Sequence, residues 1–274
     1  MPEGHVIHRL AHQLEEHFRE YPVEVSSPQG RFHQEAQQLN GSCLHHAEAV
    51  GKHLFLHFDA PVSAHIVHIH LGLIGKFRIG PWHELHGQVR LRLVDHSHTW
   101  VADLHGPQWC RLITEEEYHG VIAKLGEDPL HPGAQPDRIW PPLHRSSRSI
   151  GALLMDQKFF AGVGNIYRAE TLFRLGIHPD LPGKQLSYQQ FLDLWHDLVV
   201  LMSDGVRQGR IDTVRPEHTP EAMKRPPSKD DHGGEVYVYR RAGQPCWVCG
   251  TPIQQRVLQG RNLFWCPHCQ EPPH

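Results

Sequence analysis

The chain has no apolar run long enough to cross a membrane, since its most apolar stretch, Ile66 to Ile74, is interrupted by His68 and His70. Its start carries Glu3, His5, His8 and Arg9 where a secretory leader would place a basic segment and an apolar core, so no signal peptide is expected. It also lacks the basic excess of a protein that grips nucleic acid by bulk charge: 27 Lys and Arg stand against 30 Asp and Glu, a formal net charge of −3. Six cysteines in 274 residues are too few for a disulfide-built scaffold. There is no internal repeat and no long low-complexity tract. Together these absences exclude a membrane-spanning helical protein, a secreted cystine-rich module and a solenoid. They predict a soluble, cytoplasmic, globular chain, long enough for two domains.

Where the charges fall says more than their sum. Acidic residues crowd the first fifty positions (Glu15, Glu16, Glu20, Glu24, Glu35, Glu48), whereas basic ones gather late, around Arg207–Arg215, Lys224–Lys229, Arg240–Arg241 and Arg256–Arg261. The 26 histidines are scattered, without the i, i+4 or carboxylate-backed grouping of a catalytic metal site. His68 and His70 share a strand face but are read as solvated or hydrogen-bonded rather than metal-bound. The cysteines are different. Cys246-Trp247-Val248-Cys249 and Cys266-Pro267-His268-Cys269 form two CxxC knuckles separated by 16 residues. Two sulfurs from each knuckle suit a tetrahedral four-thiolate zinc site better than a redox pair or two disulfides. Cys43 and Cys110 are isolated and read as small core or surface residues.

Along the chain, Val6, Leu10, Leu14 and Phe18 recur at helical spacing, with Arg9, Gln13, Glu16 and Arg19 on the opposite face. From Val23 to Leu104 the pattern is strand and turn, with Val89–Val94 and Thr99–Leu104 flanking a hairpin at Asp95–His98. Thr114-Glu115-Glu116-Glu117 is a capping box that starts a short helix running to about Leu125. The first domain, residues 1–127, is thus expected to be a mostly antiparallel β-sandwich with helices at its edges. Residues 128–143, with five prolines in Asp128–Pro142, read as a linker. Residues 144–235 read as helical: Ile150–Met155, Asn165–Leu175, and a long helix from Ser187 to about Val206 capped by Ser-x-x-Gln. A mobile loop is expected over Arg215–Gly234. Val236–Tyr239 reads as a short strand leading into the zinc unit, residues 236–274. The overall class is α+β.

Two stretches carry chemistry. At the start, removal of Met1 would leave Pro2 with a free secondary amine next to the Glu3 carboxylate, a nucleophile with an acid or base beside it, although most such starts are solvated ends. The positive end of the first helix would disfavour protonation of that amine. Further on, Gly162-Val163-Gly164-Asn165 opens a helix, an arrangement that suits a phosphate but is common without one.

The segment Leu153–Gln157 through Gly162-Val163-Gly164-Asn165-Ile166-Tyr167-Arg168-Ala169-Glu170-Thr171-Leu172-Phe173, followed by Ile177-His178-Pro179, resembles the helix–two-turn–helix element of the formamidopyrimidine-DNA glycosylase / endonuclease VIII family. Pro2-Glu3-Gly4, the pair Gly51-Lys52, and Gln259-Gly260-Arg261 leading to Cys269-Gln270 match the family's other landmarks in order and approximate spacing. The resemblance implies a bifunctional base-excision-repair enzyme. Pro2 would form a Schiff base with the sugar, Glu3 would move protons, and Lys52 would pair with a phosphate or the lesion. Gly164 and Asn165 would hold backbone phosphate, Arg261 at the hairpin tip would reach the phosphate flanking the lesion, and Leu73 would fill the gap left by the flipped base. It implies one structural zinc ion on Cys246, Cys249, Cys266 and Cys269. The implied partner is damaged double-stranded DNA, with single-stranded DNA a second candidate, bound by a monomer with no membrane association, nucleoid-associated in a bacterium. For an acid role, Glu3 needs desolvation or the substrate's proximity.

Three departures from the family pattern stand out: Val6 where a second glutamate is frequent, His5 in place of a proline, and Gly106–Cys110 in place of an Arg- and Phe-bearing loop. With the Pro-Glu-Gly start they favour the endonuclease VIII branch, hence oxidised pyrimidines and abasic sites over 8-oxoguanine. The competing class is a non-catalytic zinc-finger protein that recognises DNA damage.

Overall fold

The computed structural model describes residues 2–228 and 233–273, in two compact units, Met1–Lys124 and Leu125–His274. The first unit begins with α1 (Gly4–Phe18), whose Leu10, Leu14 and Phe18 are buried as the spacing predicts, together with Ile7 and Ala11, while Val6 is half-buried. Then follow β1 (Glu24–Ser26), α2 (His33–Leu39), β2 (Cys43–Val50), β3 (His53–Asp59), β4 (Ala64–His70), β5 (Lys76–Pro81), β6 (Val89–Val94), β7 (Trp100–His105), β8 (Trp109–Thr114) and α3 (Glu115–Ile122). The strands form two four-stranded antiparallel sheets, ordered β1-β6-β7-β5 and β2-β3-β4-β8. Alternation decides which side chains meet in the core: Leu54, Leu56, Val67 and Ile69 of one sheet join Leu91, Leu93, Ala102 and Leu104 of the other. The opposite face of the β2-β3-β4-β8 sheet packs Phe55, Ile66 and Ile113 beneath Tyr118, Val121 and Ile122 of α3. Both halves of the Thr114 capping box are made, with Thr114 N–H donating to Glu117 at 2.9 Å and Glu117 N–H donating to Thr114 Oγ1 at 3.3 Å.

The second unit is built on α4 (Trp140–His144), α5 (Ile150–Leu153), α6 (Asn165–Arg174), α7 (Tyr188–Gln208) and α8 (Pro220–Met223), with a hairpin of β9 (Gln254–Leu258) and β10 (Arg261–Trp265). Here three expectations are corrected. Residues 128–143 are not a linker, because Ile139 and Leu143 enter the core with Leu153, Tyr167 and Phe191. Nor do 144–235 and 236–274 part company, since Val236, Tyr237, Val238 and Tyr239 lie in that same core. Those four residues do not form a strand either. Their backbone wraps around the Glu170 carboxylate, which accepts from the N–H groups of Tyr237 (2.7 Å), Val238 (2.9 Å) and Tyr239 (2.9 Å), and from Thr213 Oγ1 (2.6 Å). An anion that collects three backbone donors replaces the ladder a neighbouring strand would have supplied. The expected mobile loop falls partly on Lys229–His232, outside the described residues. Its described part is tied down by Arg225 and Ser228, both bonded to Glu235.

Removing the Glu170 carboxylate leaves three buried backbone donors without it, each costing about 1–3 kcal/mol. Glu170→Ala is therefore expected to lower the unfolding free energy of this unit by at least about 3 kcal/mol, measured by urea titration. A loss below 1 kcal/mol would show that the carboxylate does not organise residues 236–239.

Candidate active site

In the first unit, Pro2 is half-buried and Glu3 wholly buried at the N-cap of α1, whose body packs on β2 and β3. The turn joining those two strands carries Gly51 in the left-handed region (φ 60°) and Lys52, half-buried. Beside Lys52 stands a ring cluster in which His53 and Trp109 join His68 and His70. His53 pairs with His70 across β3 and β4, and His70 with Trp109 across β4 and β8, so the three share one sheet face with His68. His53 Nδ1 and His68 Nε2 are 2.8 Å apart, the Trp109 indole N–H donates to His68 at 3.4 Å, and His70 stacks on Trp109 with centroids 4.6 Å apart. Burial holds His53 down at about 4 and His68 at about 3, with neighbouring positive and titratable groups (His70 and Lys52 for His53; His53, His70 and Arg111 for His68) adding to it. The two imidazoles on one strand face were foreseen; their union with His53 and Trp109 depends on strand register.

The β4–β5 turn carries the wedge candidate. Gly72 (φ 68°) donates its N–H to His70 Nδ1 at 3.1 Å, and a Cβ there would come within 2.9 Å of Gln108. Beyond it Leu73 is 57% exposed and Ile74 81%, while Leu71 is buried. Two adjacent apolar side chains held out in water by a braced turn are poor packing residues and good stacking ones.

In the second unit, Gly164 is the N-cap of α6 and Asn165 its first residue, after a turn with Gly162 at φ 89°. Asn165 Nδ2 donates to the Asn262 carbonyl at 2.9 Å, using one of the amide's two hydrogens. Asn262 follows Arg261, the first residue after the two-residue turn Gln259-Gly260, both at positive φ (49° and 73°). That is the type I′ geometry that suits a tight hairpin. The structure thus brings Asn165 to the root of the strand that begins with Arg261.

The hairpin is anchored by the knuckles. The sulfurs of Cys246, Cys249, Cys266 and Cys269 lie within 4.8 Å of one another, with Cys246–Cys269 at 3.9 Å and Cys249–Cys266 at 3.4 Å. A tetrahedral ion with Zn–S bonds of about 2.3 Å sets its sulfurs about 3.8 Å apart, and a disulfide would need about 2 Å. The thiol set therefore fits one zinc ion, and four thiolates leave no open position for catalysis. Val248 and Cys269 N–H groups point at Cys246 and Cys266 sulfurs, each at 3.4 Å. Among the described residues no other His, Cys, Asp and Glu cluster has metal-site geometry, the histidine face of the first unit included.

The buried imidazoles have a consequence for stability. They are neutral when folded but protonate near 6.5 when unfolded, so unfolding takes up protons below that pH. Their contribution is complete above about 6.5 and is lost as pH falls toward about 4. The urea midpoint of the first unit should fall over that window, and less steeply in His68→Leu; a midpoint flat from pH 7 to pH 4.5 would contradict it.

Family models cover most of the chain: the formamidopyrimidine-DNA glycosylase N-terminal domain over residues 1–108, the formamidopyrimidine-DNA glycosylase H2TH domain over 125–215, and the zinc finger found in FPG and IleRS over 243–272. Endonuclease 8 1 of Mycobacterium tuberculosis is 48% identical over 276 residues, covering 98% of this chain and 100% of the relative. Formamidopyrimidine-DNA glycosylase of Geobacillus kaustophilus is 32% identical over 242 residues, 86% of this chain and 84% of the relative. The MutM (Fpg) protein from Thermus thermophilus superposes with a TM-score of 0.75 at 25% identity, covering 99% of this chain and 100% of that one. The wild-type Lactococcus lactis Fpg (MutM) in complex with an N7-benzyl-Fapy-dG containing DNA does so with a TM-score of 0.77 at 21% identity and the same coverage. With a buried Glu3 at the head of α1, a helix–two-turn–helix element and a four-cysteine hairpin in one chain, these matches place the protein in the formamidopyrimidine-DNA glycosylase / endonuclease VIII family of base-excision-repair DNA glycosylases and abasic-site lyases.

Proposed function

We propose that this chain excises oxidised pyrimidines and cleaves abasic sites in duplex DNA through the amine of Pro2. The observation that carries this reading is the half-exposed Pro2 joined to a wholly buried Glu3 at the start of α1. The Pro2 nitrogen lone pair bonds to C1′ as the glycosidic bond breaks, and the base leaves with that bond's electron pair and takes up a proton. Glu3 supplies the departing base's proton and then takes the amine's own proton. Nitrogen electrons then open the sugar ring, forming the C1′=N iminium as Glu3 delivers a proton to the ring oxygen. With the iminium as electron sink, loss of a C2′ proton expels the 3′ phosphate, and a second elimination expels the 5′ phosphate.

The remaining candidates bind. Lys52 contacts a phosphate or the lesion, Asn165 and the Gly164 turn hold backbone phosphate, and Arg261 reaches the phosphate beside the lesion. Leu73 fills the space left in the base stack. The identity to a relative named Endonuclease 8 1 supports the endonuclease VIII branch and, with it, the pyrimidine preference.

Pro2→Gly should lose strand cleavage on an abasic-site duplex while keeping affinity for it, and Glu3→Gln should lose base release by roughly 100-fold or more. Undiminished cleavage by Pro2→Gly would remove Pro2 from the mechanism. On a panel of single-lesion duplexes scored for base release, kcat/KM for oxidised pyrimidines should exceed that for 8-oxoguanine by roughly tenfold or more. The reverse order would move the chain to the formamidopyrimidine branch.

A further inference from the structure

Arg168 is wholly buried in the middle of α6, three residues after Asn165 and therefore on the same helix face. Its guanidinium spans three elements. One terminal nitrogen donates to the Gly151 carbonyl of α5 at 3.3 Å; the other donates to the Asn262 carbonyl of β10 at 3.1 Å and to Asn165 Oδ1. Asn165 in turn donates to that same Asn262 carbonyl. The triangle has two results. With its oxygen held by Arg168, the Asn165 amide has one orientation and its Nδ2 faces the hairpin. The root of β10 is pinned one residue from Arg261, so the direction in which Arg261 leaves the hairpin is set from within the helical core.

A buried guanidinium is costly to desolvate, and an apolar side chain of similar length would suit the surrounding core better. The hairpin also does not depend on Arg168 for attachment. Arg256 pairs with Asp180, and the buried Gln270 donates to the Ile177 carbonyl at 2.8 Å while accepting from Cys266 N–H at 2.9 Å. What Arg168 adds is a shared frame for two side chains on separate elements.

We propose that Arg168 is a positioning residue for DNA binding, locking Asn165 and Arg261 into one phosphate-gripping unit. This rests on the reading that Arg261 contacts a phosphate, and the two can be tested apart. The full-length zinc-loaded protein is titrated with a duplex carrying an uncleavable tetrahydrofuran abasic analogue at several salt concentrations. Wild type is compared with Arg261→Ala, Arg168→Met and the double variant, after zinc content and the thermal transition are measured. Arg261→Ala should lower the slope of log K against log salt by about 0.9, the loss of one phosphate contact. Arg168→Met should lower it nearly as much without touching DNA, and the double variant should bind no more weakly than roughly threefold below either single one. Arg168→Lys, which keeps the charge but not the fork, should recover only part of the slope; it carries the same cycle should Arg168→Met fail to fold. A folded Arg168 variant with the wild-type slope, or effects that simply add, would overturn the proposal. An unchanged slope in Arg261→Ala would overturn the phosphate reading and the proposal with it.

Discussion

Helix α6 has almost no solvent face, and that constraint governs the second unit. Every residue from Asn165 to Phe173 is buried, four of them polar or charged, and of these Asn165, Arg168 and Glu170 would be the costliest to leave unsatisfied. Their partners are accordingly drawn in from far along the chain. Glu170 gathers the backbone of residues 237–239, Arg168 and Asn165 meet at the Asn262 carbonyl, and Arg174 at the helix end takes Asp197 of α7 with contacts of 2.8–3.1 Å. The chain leaving Tyr239 is thereby aimed at the knuckles, and the knuckles at the hairpin that bears Arg261. A helix that cannot face water becomes the point around which Asn165 and the hairpin bearing Arg261 are arranged.

The first unit solves a different problem. A sheet that buries aliphatic side chains on one face must do something with the other. Here α3 covers one part of it, and imidazole and indole rings cover the part beside Lys52. Rings that stay neutral in that setting pack against one another without adding positive charge next to Lys52. The same rings brace the β4–β5 turn, so the exposed Leu73 and Ile74 stand on a rigid support.

Local signals were legible in the residues and non-local ones were not. The apolar spacing of α1, the capping box at Thr114, the hairpin at Asp95–His98 and the paired knuckles are written within a few residues of where they act, and each is present in the fold. Helix α2 went unseen because only Ala36 and Leu39 are buried, too few to mark a stripe. Val236–Tyr239 has the alternation of a strand, but its donors belong to a carboxylate 67 residues upstream, which no window of sequence reveals. Five prolines in Asp128–Pro142 suggested a linker, yet two of them, Pro141 and Pro142, occupy the first turn of α4, where a missing N–H costs nothing. Pro2 and Glu3 could be picked out as reactive types; that Glu3 is shut away from water while Pro2 is not could be read only from the packing of α1.

The nucleophile proposed for this chain is the N-terminal secondary amine of Pro2. Borohydride reduction of the protein on an abasic-site duplex, followed by nuclease and protease digestion and tandem mass spectrometry, locates the sugar remnant directly. The remnant is expected on the nitrogen of Pro2, in a peptide that has lost Met1. A remnant on Lys52 or another lysine, or an adduct on protein that still carries Met1, would contradict it.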